Sequence, residues 1–161
     1  VEELELDFAS YWEDMAMKTG SLISPELFRR YMSPNYRKVV GFLRSAGIDI
    51  HMVDSDGNVD ELIPLWLEVG VNMVYPLEIA AGCDPVAYRE KYGRDLLLLG
   101  GIDKRALRGT KREVEEEVMS KVPALVKAGG YSPMVDHAVP PDVPLANFQH
   151  YLDLCHEIFG A

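Results

Sequence analysis

An α/β protein built on a parallel sheet is the fold class this sequence predicts, and three observations predict it. Five short β-prone runs recur along the 161 residues, helix-like stretches with start and stop signals separate them, and one run, "LLLLGG" at 96–101, is apolar at successive positions. Strands that alternate with helices join through right-handed crossovers into a parallel sheet. A strand apolar on both sides expects cover on both of its faces. Five such units suit an open doubly wound sheet or a slice of a barrel, since a complete eight-stranded barrel typically needs about 250 residues. In either architecture the ligand site forms at the carboxyl ends of the strands.

The elements follow in order. Strands are expected at 4–8 (LELDF), 48–53 (IDIHMV), 71–76 (VNMVYP), 96–101 and 131–135 (YSPMV). Ser24-Pro25 opens a helical stretch that runs to Gly47, and Pro34 is expected to split it in two. Asn58 is placed to cap the next helix, on which Leu62, Leu65, Trp66 and Val69 share one face. Asp84-Pro85 opens a third helix, and 111–130 reads as one acidic helix ending on a glycine pair. A last helix at 145–159 carries Leu145, Phe148, Leu152, Cys155 and Phe159 along a stripe.

With 48% hydrophobic residues the chain can bury one core, so 1–161 is expected to be a single domain. The net charge of −10 argues against nucleic acid and against an anionic membrane surface as partners. No apolar run approaches the roughly 18 residues of a membrane span, and the acidic start "VEELELD" lacks the basic region of a secretory signal. Cys83 and Cys155 lie far apart, as in a reducing compartment. These features predict a cytoplasmic protein. Because the first residue is Val, the sequence is expected to begin partway through a longer polypeptide.

Acidic residues gather at the strand ends. After the first strand, Tyr11 and Trp12 stand beside Glu13 and Asp14 in a long loop, either a binding loop or an acidic surface loop. After the second comes "DSDGN", where Asp54, Asp56, Asn58 and Asp60 occupy the first, third, fifth and seventh places of a calcium loop. Val59 stands where such a loop needs Gly and Leu65 where it needs Glu, so an EF-hand fails. A D-x-D clamp for a nucleotide sugar lacks a basic or glycine-rich phosphate cradle. Strand parity puts Asp54 and Asp56 on one side and His51, Val53 and Ser55 on the other, so aspartates that face the mouth leave His51 in the helix layer as a structural residue. The third strand leads to Glu78, and to Cys83 at a helix start, either a thiolate nucleophile stabilised by the helix N-terminus or a small buried thiol with no chemical role. The fourth leads to Asp103, suited to a cap, with Lys104 and Arg105 as cations for an anionic substrate. The fifth ends on Asp136 and His137, an acid beside a candidate base.

Several linked motifs then resemble one family. "LEIAAGCDPVAYREKYGRDLLLLGGIDKRAL", an acidic helix and "GGYSPMVDHAVPPDVPLANFQHYLDLCHEI" follow, in order, the C-terminal half of the uroporphyrinogen decarboxylase superfamily, which also contains cobalamin-dependent methyltransferases that use a zinc-bound thiol. The resemblance implies a TIM-type parallel (β/α) barrel of which this chain carries about the last five β/α units. It places His137 where the decarboxylases have a histidine that contacts the tetrapyrrole and the methyltransferases a zinc-ligating cysteine. Asp54 and Asp56 fall where the methyltransferases carry an H-x-C pair, and two carboxylates suit a harder metal or proton transfer better than a zinc thiolate.

What the resemblance implies first is cofactor-independent decarboxylation of a tetrapyrrole, as in porphyrin biosynthesis. Asp54, Asp56 and His137 would be the catalytic residues, and Trp12, Glu13, Asp14, Glu78, Asp103 and Lys104 would contact substrate. It places the substrate arginines and the aspartate at the pyrrole nitrogens in an N-terminal part outside these residues. The alternative is a corrinoid-dependent methyltransferase, with a corrinoid and a divalent metal such as zinc held by Asp54, Asp56 and His137. A third reading is a non-catalytic half-barrel that binds a tetrapyrrole or associates through its free edges, with a homodimer partner or a missing N-terminal barrel half.

Overall fold

The computed structural model describes residues 5–160. Its main sheet holds five parallel strands in chain order: β1 (Phe8–Trp12), β4 (Ile50–Asp54), β5 (Met73–Tyr75), β6 (Leu97–Ile102) and β7 (Tyr131–Val135). A small antiparallel hairpin, β2 (Ala16–Met17) with β3 (Gly20–Ser21), lies in the loop after β1. The α/β class and the parallel sheet match expectation, and a sheet whose order follows the chain is compatible with part of a TIM-type barrel.

Alternation along each strand decides the faces. His51, Val53, Val74, Leu98, Tyr131 and Val135 are buried. The apolar ones among them join one core with helix residues such as Leu62, Trp66, Val114 and Leu125. Each fully buried aliphatic side chain of this kind stabilises the fold by about 1.5–3 kcal/mol. On the opposite face Phe8 and Trp12 are exposed, and Met52, Met73, Leu97 and Leu99 are half-buried. The expected cover on both faces of β6 is therefore a correction: helices cover one face, and Leu97 and Leu99 on the other are only partly enclosed.

Local chemistry sets each helix. Ser24 accepts a hydrogen bond from Leu27 N and starts α1 (Pro25–Leu27), which runs through a π-helical turn (Phe28–Met32) into α2 (Ser33–Ser45). The expected split at Pro34 does not occur, because Pro34 sits in the first turn of α2, where a missing N–H costs little, and the wide turn before it absorbs the misfit. In α3 (Ile63–Val69) and the turn before it, Leu62, Leu65, Trp66 and Val69 are buried as their spacing predicts. Asn58 is not the cap: its Oδ1 accepts from Asp60 N and its Nδ2 donates to the Ala81 carbonyl, so α3 starts later. Asp84 does cap α4 (Pro85–Tyr92), accepting from Val86 N and Ala87 N.

The single helix expected at 111–130 is two, α5 (Lys111–Met119) and α6 (Val122–Ala128), because Pro123 cannot continue the α5 hydrogen-bond ladder. Thr110 and Glu113 form a reciprocal capping box at the α5 start. In α7 (Leu145–Phe159) the centre of the expected stripe holds, with Cys155 buried and Phe148 and Leu152 packed against the core, while its ends Leu145 and Phe159 are exposed and Asn147 and Tyr151 are buried beside it. Asn147 holds that register by donating to the Leu107 and Gly109 carbonyls. The first strand also shifts, from the expected 4–8 to 8–12, and Leu4 lies outside the described residues. Among the described residues no helix is long and apolar enough to cross a membrane.

Two interior features fix how the sheet meets its loops. Gly100 has φ of 110° and approaches the Pro76 carbonyl so closely that a Cβ there would lie 1.9 Å from its oxygen; Gly101 N donates to the same oxygen at 3.0 Å. Arg89 is buried without a carboxylate and instead donates to the carbonyls of Gly93, Leu96 and Gly130, which ties the end of α4 to the starts of β6 and β7.

Candidate functional site

The carboxyl end of the sheet opens into a cleft of about 440 Å³ lined by Trp12, Asp14, Asp54, Asp56, Tyr75, Pro76, His137 and Ala138. Register explains most of that list. Trp12, Asp54 and Tyr75 are the last residues of three neighbouring strands and are paired across β1, β4 and β5, so they share the face away from the helices. Asp56 lies two residues beyond Asp54. His137 follows β7 and reaches across the mouth to Asp56, with Nε2 3.3 Å from Oδ2. Asp14 adopts φ of 44°, a left-handed conformation costly for a non-glycine residue, and its Oδ1 accepts from Asp56 N at 3.1 Å.

The electrostatics of the cleft are dominated by acids. Burial, and then the neighbouring Asp14 and Asp56 carboxylates, raise the Asp54 carboxyl above the ordinary range, with His137 pulling the other way. Burial followed by the Glu78 charge raises Asp56 likewise, opposed by His137. A carboxyl held above its usual range keeps more of its neutral form near neutral pH and can deliver a proton.

Behind this layer lies a charged network. Lys104 Nζ is 3.0 Å from Glu78 Oε1 and 3.9 Å from Asp136 Oδ1. Glu78 Oε2 accepts from Gly57 N, the residue after Asp56. Burial works to raise the Glu78 carboxyl, but the Gly57 and Lys104 bonds bring it below the ordinary range. Asp136 is fully buried and accepts from Lys104 N at 3.0 Å and from Ile79 N at 2.9 Å, so one carboxylate fastens the exits of β5, β6 and β7.

The structure thus brings Trp12, Asp14, Asp54, Asp56 and His137 to one cleft, with Glu78 and Lys104 directly behind. Asp103 stands apart from the cleft lining, its carboxylate gripped by Arg105 at 2.6 Å. Glu13 lines a separate cavity of about 230 Å³ beside α2 with Tyr11, Tyr31, Met32, Asn35, Tyr36 and Val39. Tyr75 was not singled out in the sequence; the parity of Met73 and Tyr75 in the third strand was the available signal. His51 is buried as expected, with Nδ1 3.0 Å from Tyr11 Oη, but its Nε2 has no partner among the described residues. Cys83 is buried and donates to the Gly57 carbonyl, and burial pushes its thiol up, which disfavours a nucleophile.

The donor set for a metal is a poor fit. Among the described residues no three His, Cys, Asp or Glu side chains converge closely enough to hold an ion, and Asp54, Asp56 and His137 offer no thiolate for a zinc that activates a thiol.

Comparison with known proteins gives two findings. The family model described as Uroporphyrinogen decarboxylase (URO-D) matches residues 9–158. A protein named uroporphyrinogen decarboxylase from Syntrophotalea carbinolica is 25% identical over 142 residues, covering 86% of this chain and 39% of that protein. The chain therefore spans well under half the length of this curated relative.

Proposed function

The chain belongs to the uroporphyrinogen decarboxylase family, and from that premise we propose that it carries the proton-transfer half of a cofactor-independent tetrapyrrole decarboxylase. In this reading it supplies the C-terminal arc of a (β/α) barrel as one domain. The observation that carries the reading is the juxtaposition, in one open cleft at the strand ends, of Asp54 with the Asp56–His137 pair. The same donor arrangement gives no support to corrinoid-dependent methyl transfer.

Loss of carboxylate from a pyrrole acetate converts ring–CH2–COO⁻ and one proton into ring–CH3 and CO2. The electrons of the broken C–C bond need an acceptor. A proton delivered to a ring carbon makes the pyrrole cationic, CO2 departs, and its bonding pair collapses into the ring to leave an exocyclic methylene. A second proton adds to that methylene and the ring carbon returns the first. Asp54, whose carboxyl is raised by burial and by its acidic neighbours, suits the reversible ring protonation. The Asp56–His137 pair suits delivery of the proton that stays in the product. In this reading the positive charge develops beside Asp14, Asp54 and Asp56, which line the same cleft, and a cluster of carboxylates there would stabilise such a cation.

Incubation of the purified protein, together with the N-terminal barrel part that this reading requires, with a uroporphyrinogen under reducing conditions tests this. The expected result is release of CO2 with products bearing fewer carboxyl groups, resolved by chromatography after oxidation to porphyrins. Unchanged porphyrinogen overturns the reading, as does transfer of the methyl group of a methylcobamide to an added thiol in a parallel incubation without decarboxylation.

A further inference from the structure

Lys104 is one of the two basic side chains that the strand-end motifs offer to an anionic substrate, yet its surroundings assign it differently. Its side chain is 19% exposed, between Glu78 at 20% and Asp136 at 0%. A substrate carboxylate could reach the ammonium only by displacing one of two carboxylates already in place, and a partly buried ion pair resists that because each freed charge would have to be rehydrated or left unpaired.

The contacts close a ring. Lys104 Nζ meets Glu78, Glu78 accepts from Gly57 N, Gly57 follows Asp56, Asp56 meets His137, and His137 follows Asp136, which accepts from Lys104 N and faces its ammonium. Each link fixes the next across a different strand exit, so the two reacting side chains hang from a loop whose geometry Lys104 closes. We infer that Lys104 is a positioning residue, which holds the Asp56–His137 pair in register by bridging Glu78 and Asp136, and not a contact for substrate. The inference rests on the proposed role of that pair, but its geometry is measurable without turnover.

The test uses Lys104→Met in the otherwise unchanged protein, with two readouts. By NMR on ligand-free protein, the His137 ring-proton shifts are expected to move to those of an Asp56→Ala variant, in which the pair is absent. In the decarboxylation assay kcat is expected to fall at least tenfold with KM within twofold of the parent. A rise in KM of tenfold or more with kcat unchanged makes Lys104 a substrate contact and overturns the inference. Unmoved His137 signals overturn it as well, whatever the assay shows. If Lys104→Met does not fold, Glu78→Gln opens the same ring while leaving Lys104 facing Asp136, and the same His137 shift is required of it. Absence of turnover in the parent sinks the decarboxylase reading alone, and the NMR arm still decides the role of Lys104.

Discussion

Asp54→Asn is expected to lower turnover by about 10²–10⁴-fold, the usual worth of a positioned general acid or base. Asparagine keeps the shape of the side chain at the end of β4 but cannot carry a proton to the ring. KM is expected to change little, since the cleft walls formed by Trp12, Tyr75 and Pro76 remain. The same substitution is expected to make the protein slightly more stable at neutral pH. The Asp54 carboxyl is raised in the folded chain from its ordinary value of 3.8, first by burial and then by Asp14 and Asp56, so its ionised form costs folding free energy. That cost is absent below the ordinary carboxylate value, grows as pH rises toward the raised folded value, and is complete above it. Removing it is worth at most about 1 kcal/mol, because the cleft admits water. Thermal melts of parent and variant are expected to differ at pH 7 and to converge near pH 3; a variant that is less stable at pH 7, or fully active, contradicts this assignment.

Gly100→Ala is expected to cost about 4 kcal/mol or more, against the 5–15 kcal/mol that holds a typical domain together. Two penalties add. At φ of 110° an alanine is strained wherever it sits. Its methyl carbon would also fall 1.9 Å from the Pro76 oxygen and 2.7 Å from the Pro76 carbonyl carbon, and both are backbone atoms that cannot swing aside as a side chain can. Retreat of Pro76 would break the Gly101 N–H bond to the same oxygen and shift a wall of the cleft. Urea titration is the measurement, and a midpoint within error of the parent would contradict the close approach.

The alternation of strands and helices was legible because hydrophobic periodicity and caps such as Asp84 are local. So was the face shared by Asp54 and Asp56, which follows from parity once the strand is found. The first strand was misplaced because Phe8–Trp12 is an edge strand with Phe8 and Trp12 exposed, so burial leaves no mark on its sequence that separates it from the alternating residues before it. Glu13 and Asp14 looked equivalent. The left-handed turn at Asp14 sends its carboxylate to Asp56, while Glu13 lines the cavity beside α2. Lys104 was illegible for a different reason: Glu78 lies 26 residues before it and Asp136 32 residues after, so only the folded sheet shows that its charge is already matched.

The chain-ordered sheet has a kinetic consequence. Each strand pairs with the one made just before it, Phe8 with Ile50, Met52 with Met73, Met73 with Leu97, Leu98 with Tyr131, so every pairing closes over a single crossover. Loop-closure entropy is then met in small increments, in place of one long-range search. As the polypeptide leaves the ribosome, each later β/α unit is expected to find the strand it pairs with already made, and the Asp56–His137 pair is expected to form last, since it needs the residue that follows β7.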